Sequence, residues 1–120
     1  MTMLAERPTL IRICRVGDLE VERGRAALLG GNQVALFLLE DGTVHAVSNL
    51  DPYSGANVIS RGIVGTRGQE PTVASPMHKQ VFSLRTGACL DAQGKDLMAL
   101  RTWAVSVHDD MVLIDAEDLR

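Results

Sequence analysis

Apolar residues along this chain recur with a period of two in short segments, and glycine, proline or Asx turn formers close almost every one. That pattern sends one side chain inward and the next outward, which suits half-buried antiparallel strands and not the 3.6-residue period of an amphipathic helix. Leu10-Ile-Arg-Ile-Cys14 reads as a first strand, and Val16-Gly-Asp-Leu19 as the turn away from it. Ala26–Leu29 and Val34–Leu39 flank Gly30-Gly-Asn32, and Glu40-Asp-Gly42 separates the latter strand from Thr43–Ser48. Gly-Gly, Gly-Asn and Asp-Gly supply the positive φ angles of tight hairpins, so these three strands are expected to form a meander. Gly62–Gly65 and Pro71–Ala74, split by the polar Thr66-Arg-Gly-Gln-Glu70, read as a further hairpin. Gln80–Leu84 leads into Thr86-Gly87, after which Leu100–Val107 and Met111–Ile114 close the chain around His108-Asp-Asp110. Only Asp115 to Arg120 is left as a possible helical end. Strands this short and regular indicate an all-β sandwich or small barrel with little helix.

The 120 residues correspond to one domain, long enough for an ordinary core without a metal staple. Aromatic residues make up 3% of the chain, so Phe37, Tyr53, Phe82 and Trp103 are the large rings of an otherwise aliphatic interior. A formal net charge of −3 argues against nucleic acid, whose phosphates select clustered Lys and Arg. Residues 1–8 carry a charge pair and a proline where a secretion signal needs an apolar run, and no stretch reaches membrane-spanning length. No membrane association and a cytoplasmic location are therefore expected. In that reducing compartment Cys14 and Cys89, which lack Cys-x-x-Cys spacing, read as free thiols.

Two segments stand apart from this pattern: Asp51-Pro-Tyr-Ser-Gly-Ala56 and Ser75-Pro-Met-His-Lys-Gln-Val-Phe82. They have the frame of the two loops of a Rieske iron–sulfur site, which carry Cys-x-His and Cys-x-x-His to place two thiolates on one iron and two imidazoles on the other. The matching residues here are Asp51, Tyr53, Ser75 and His78. Together with Asn57-Val-Ile-Ser-Arg-Gly62, Val73-Ala-Ser-Pro-Met-His-Lys-Gln-Val-Phe82, Thr86-Gly87 and Trp103–Val107, they make the chain resemble, from about Thr9 to Ile114, the Rieske-like small subunits of assimilatory NAD(P)H-dependent nitrite reductase. The resemblance implies a Rieske-like domain over residues 9–115, an N-terminal extension over 1–8 and a C-terminal tail over 116–120. It also implies a non-catalytic subunit that binds and supports a large subunit. That large subunit would carry FAD, an iron–sulfur cluster and sirohaem, and would reduce nitrite to ammonium with NADH or NADPH.

The residues argue independently against a cluster in this chain. A [2Fe–2S] centre is held mainly by anionic sulfur, whereas Asp51 and Ser75 offer hard oxygen and a Tyr53 phenol is protonated at neutral pH. His78 alone matches a Rieske ligand and reads as a structural remnant. A hydrogen-bonded cluster of Asp51, Tyr53, Ser75 and His78 is expected to replace the metal as the clip between the loops, with the loop tips as the partner interface. Asp-Pro, Ser-Gly and Ser-Pro are also ordinary turn chemistry, which the same residues would satisfy with no function at all. By alternation His45 is expected to face solvent, His108 lies in a turn, and Arg61, Arg67, Lys79 and Arg85 read as solvated charges. No catalytic motif is present, so the isolated chain is not expected to reduce nitrite. Two alternatives are an electron carrier of Rieske type with an unusual metal site on Asp51 and His78, and a free-standing interaction module on the same fold.

Overall fold

The computed structural model describes residues 9–119, so the expectations for residues 1–8 and Arg120 lie outside the described residues. Among the described residues, eleven strands run in chain order. They are β1 Leu10–Arg15, β2 Arg25–Leu29, β3 Asn32–Leu38, β4 Val44–Ser48, β5 Ile63–Arg67, β6 Glu70–Ala74, β7 Val81–Ser83, β8 Cys89–Asp91, β9 Thr102–Trp103, β10 Val105–His108 and β11 Met111–Asp115. They form three antiparallel sheets in the orders β1-β11-β10, β2-β3-β4-β9 and β5-β6-β7-β8. The β2-β3-β4 meander and the β5-β6 hairpin are where the turn residues placed them. No described helix is long and apolar enough to cross a membrane.

The sheet β2-β3-β4-β9 is the middle layer. Its strand β3 belongs to a continuous apolar run, Val34–Leu39, and a run of that kind has both faces buried. Val34, Leu36 and Leu38 pack with Ala46, Val112 and Ile114 on one side. Ala35, Phe37 and Leu39 pack with Val47, Ile59, Val73, Phe82, Leu84 and Leu100 on the other. Alternation within one strand therefore feeds two cores, one shared with each outer sheet.

Three details depart from the sequence reading. The run Leu100–Val107 is not one strand: β9 pairs with β4, Ala104 turns the chain out of that sheet, and β10 pairs with β11. Cys89–Asp91 was not anticipated as a strand, because three residues cannot display a period, yet it pairs with β7. The helical end is a single 3-10 turn, Ala116–Leu119, whose Leu119 is buried in the first core. The Asn32 side-chain amide donates to the Leu119 carbonyl at 2.5 Å and the Trp103 indole N–H to the Asp118 carbonyl at 2.7 Å.

The strands β5–β8 are inserted between β4 and β9, so the chain leaves the middle sheet through residues 49–62 and returns through 92–101. The return depends on Gly87, at φ +80°. Its N–H donates to the Ser83 carbonyl at 2.8 Å and its own carbonyl accepts from Leu100 N–H at 2.8 Å. A Cβ there would lie 2.1 Å from the Leu100 oxygen. Gly87→Ala is therefore expected to cost at least about 2 kcal/mol, seen as a fall in Tm of about 8 °C or more. Gly68→Ala, at φ +62° with open space around it, should cost only about 1 kcal/mol.

Candidate functional site

The first loop is an Asx turn closed on itself. Pro52 disfavours the helical region for the residue before it, and Asp51 Oδ1 accepts the Tyr53 N–H at 2.8 Å. Asp51 N–H donates to the Ala56 carbonyl and Gly55 N–H to the Asp51 carbonyl, each at 2.8 Å. Gly55 supplies the φ of +75° that lets the chain turn back. In the second loop, Ser75 N–H donates to the Gln80 carbonyl at 2.9 Å and Lys79 N–H to the Ser75 carbonyl at 3.1 Å. Lys79 holds φ at +65°, a conformation that costs a non-glycine residue about 1 kcal/mol.

One hydrogen bond joins the loops. Ser75 Oγ donates to Asp51 Oδ2 at 2.5 Å and accepts the Met77 N–H at 3.2 Å. Both residues are fully buried, so the bond is shielded from water, and charge-assisted bonds of this kind contribute about 1.5–3 kcal/mol. The Tyr53 ring packs on Phe82 with centroids 6.1 Å apart. Its hydroxyl donates to the Asp96 carbonyl at 2.5 Å and accepts the Met98 N–H at 2.9 Å. Burial, then the Cys89 thiol 3.4 Å away, push the phenol above its ordinary pKa.

The expected four-residue cluster is thus divided. Asp51 and Ser75 meet directly, and Tyr53 joins them only through its backbone N–H. The Tyr53 hydroxyl serves the segment before β9 instead. His78 is exposed and makes no hydrogen bond among the described residues, which corrects its assignment to the clip: the Ser75–Asp51 bond closes the clip without it. Sequence reasoning missed Asn49, buried at the root of the first loop. Its Oδ1 accepts the Ser60 N–H at 2.7 Å and its carbonyl accepts the Ile59 N–H at 3.1 Å. An Asn two residues before Asp-Pro was the available signal.

These residues do not fit an iron–sulfur cluster. Tetrahedral ligands about 2 Å from one metal ion stand about 3.3 Å apart, but the atoms at the two thiolate positions are 2.5 Å apart and share a proton. The Tyr53 oxygen is committed to backbone groups, and a buried neutral Gln80 amide, unbonded to any described residue, offers neither thiolate nor imidazole. No group of three or more His, Cys, Asp or Glu among the described residues is arranged to hold a metal ion.

Of the other singled-out residues, Lys79 lies on the second loop and the rest lie elsewhere. Arg67 pairs with Asp91 at 3.3 Å and Arg85 with Glu70 at 2.8 Å, exposed pairs that contribute little to stability, while Arg61 and Lys79 are exposed. Cys14 and Cys89 are free thiols. His108 ends β10 and is exposed. His45 is half-buried, correcting its expected solvent-facing place. It contacts Thr43 Oγ1 at 3.0 Å and the Leu84 backbone, in a groove of about 390 Å³ between Leu84, Arg85 and Trp103. The cause is the chain just after β7, whose Leu84 and Arg85 lie beside His45.

Two loop tips joined across an all-β frame define a Rieske-like domain, and the chain belongs to that family: the Rieske-like [2Fe-2S] domain profile matches residues 9–115. Within the family it groups with the nitrite reductase small subunits. It is 42% identical over 101 residues to the nitrite reductase (NADH) small subunit of Escherichia coli K12, covering 83% of this chain and 91% of that one. A solved structure from Mycobacterium tuberculosis, assigned as an NADH-dependent nitrite reductase small subunit, matches at TM-score 0.81 and 41% identity, over 91% of this chain and 96% of that one. The chain is also 40% identical over 107 residues to the nitrite reductase NAD(P)H large subunit of Klebsiella oxytoca, covering 89% of this chain but 11% of that polypeptide.

Two outcomes follow for the site. Ser75→Ala leaves the buried Asp51 carboxylate short of a donor and is expected to cost roughly 2–3 kcal/mol, lowering Tm by about 8 °C or more. Tyr53→Phe keeps the ring packing but releases Met98, so amide exchange at Met98 should quicken while Val73 and Phe82 stay protected. A third outcome concerns pH. Burial holds His45 below its ordinary pKa of 6.5, so below that pH the unfolded chain binds the proton more readily than the folded one. Stability is then complete above about pH 7 and falls as the pH drops through 6.5 towards the folded pKa. The urea midpoint should fall between pH 7 and pH 5 in the wild type and flatten in His45→Gln; a wild-type midpoint that rises on acidification would contradict the assignment.

Proposed function

We propose that this chain is the non-catalytic small subunit of a cytoplasmic NAD(P)H-dependent nitrite reductase, and that it binds and supports the large subunit that reduces nitrite to ammonium. One observation carries the reading: the two positions that would supply thiolates to one iron are joined directly as Ser75 Oγ to Asp51 Oδ2. The frame of an electron carrier is kept while its ligand set is replaced by a protein-only clip. In this reading the chain holds no cofactor of its own, and FAD, the iron–sulfur cluster and sirohaem sit on the large subunit. The partner follows from the named small-subunit relatives and from the Klebsiella oxytoca large subunit, which contains a related segment. Asp51 and Ser75 are buried, so they shape the interface from beneath, and the outer surface of the Tyr53 and His78 loops makes contact.

Electron transfer through a metal on Asp51 and His78 is disfavoured because the Asp51 carboxylate oxygens already accept from Ser75 Oγ and Tyr53 N–H, and no group of three or more His, Cys, Asp or Glu among the described residues is arranged to hold a metal ion. Protein purified anaerobically is expected to contain neither iron nor acid-labile sulfide. The tagged chain, recovered from its host grown on nitrite, is expected to bring down a large polypeptide with flavin and sirohaem absorbance. Stoichiometric iron in the isolated chain would restore the electron-carrier reading, and recovery of an unrelated protein would favour the free-standing module.

A further inference from the structure

The replacement of metal ligands by a buried clip leaves the outer surface of the tips to other residues. Three segments converge there: the first loop, the second loop, and the strap of residues 92–98 between β8 and β9. The Gln93 side-chain amide donates to the Lys79 carbonyl at 3.4 Å, tying the start of the strap to the second loop. The Tyr53 hydroxyl bonds Asp96 and Met98, tying its end to the first. The strap lies across both loops with its apolar side chains in solvent: Leu97 is 72% exposed and Met98 40%, and Met77 on the second tip is 50% exposed. Single exposed apolar residues are ordinary, but a group of them held on ordered backbone marks a contact surface. Methionine adds the ability to follow a partner's contour. Lys79 and Lys95, both exposed, give this end two positive charges beside the carboxylate of Asp96, in a chain of net charge −3.

We infer that Met77, Leu97 and Met98, rimmed by Lys79 and Lys95, form the docking surface, and that its occupant is the nitrite reductase large-subunit polypeptide, through an apolar depression with an acidic border. This rests on the proposed function above. The occupant is argued from the Klebsiella oxytoca relative, where a segment homologous to most of this chain lies within the large-subunit polypeptide itself. On one polypeptide, tethering supplies a high effective concentration and little surface affinity is needed. As a separate chain the domain must supply that affinity from its surface, and the strap is an apolar group already ordered by hydrogen bonds to both loops. Tyr53 is then a positioning residue: it fixes the strap without touching the partner.

The test is the affinity of the full chain for the large subunit of the same host, measured by titration calorimetry at low and moderate salt. Leu97→Asp and Met98→Asp are each expected to raise Kd by about 10-fold or more, because they place charge in a desolvated contact. Tyr53→Phe should raise it less, together with faster amide exchange at Met98, a readout that a purely packing role of the ring would not move. Leu28→Asp, at a residue 67% exposed on β2, should leave Kd unchanged. Wild-type affinity should weaken with salt, as expected for a basic rim against an acidic one. Tm values of these surface variants near wild type establish that they fold. If the wild type binds and Leu97→Asp and Met98→Asp bind equally well, the docking surface is elsewhere and the proposed function stands. If the wild type does not bind at all, the proposed function falls and this inference with it.

Discussion

Over Val34–Leu38 the strand β3 has no solvent face, and the positions of both outer sheets follow from that. Odd and even side chains of one strand must each find an apolar surface, so a sheet is required on either side. The strands β1, β10 and β11 close one side, and the inserted β5–β8 unit closes the other. The first loop tip belongs to the path that links the middle sheet to the inserted unit, and the second joins β6 to β7 within that unit. Their geometry is anchored by Ile59 and Phe82, which sit in the second core beside Phe37. Tyr53 packs on Phe82, and the chain before Ile59 hangs from Asn49. A tip built on a closed core in this way does not need a metal to be ordered.

The tips nevertheless approach one another, and something has to hold them. A structural metal site can contribute about 10–16 kcal/mol to folding in a small domain that depends on it. The Ser75–Asp51 bond contributes a fraction of that, about 1.5–3 kcal/mol. The smaller figure suffices because the two cores, and not the clip, order the backbone on either side. The clip's role is local: it neutralises the hydrogen-bonding demand of a carboxylate that the fold buries completely. Removing one partner therefore costs more than the bond itself contributes.

Much of this was legible in the chain, for identifiable reasons. Gly30, Gly31, Gly42 and Gly68 placed hairpin turns because their positive φ angles are chemically specific. The two tips were legible because Asp-Pro and Ser-Pro fix local turns whatever the tertiary context. What failed needed long-range information. The break at Ala104 lies inside an alternating run, and only the separate partners β4 and β11 reveal it. His45 obeys the alternation, yet the inserted unit covers it from a distance in sequence that no local pattern encodes. The expectation for His78 failed for the opposite reason. Motif alignment assigned it a shared role, while in the structure it is exposed and bonds to no described residue.

A redox cluster at this place would tie the shape of the tips to the supply of iron and sulfide and to oxidation state. A buried carboxylate and hydroxyl tie it only to folding. On the proposed docking, a partner would meet loops that are already fixed, and binding would not bear the entropy of ordering them. The same argument explains why the Tyr53 hydroxyl is spent on two backbone groups of the strap rather than on the clip. The clip needs only Asp51 and Ser75. The strap is exposed along residues 93–99 and has little core of its own, so an anchor from the first loop is what gives its apolar side chains a defined position. Asp51, Tyr53 and Ser75, three of the four positions that match cluster ligands, bond to protein, and the Tyr53 bonds are the ones that order the outer surface.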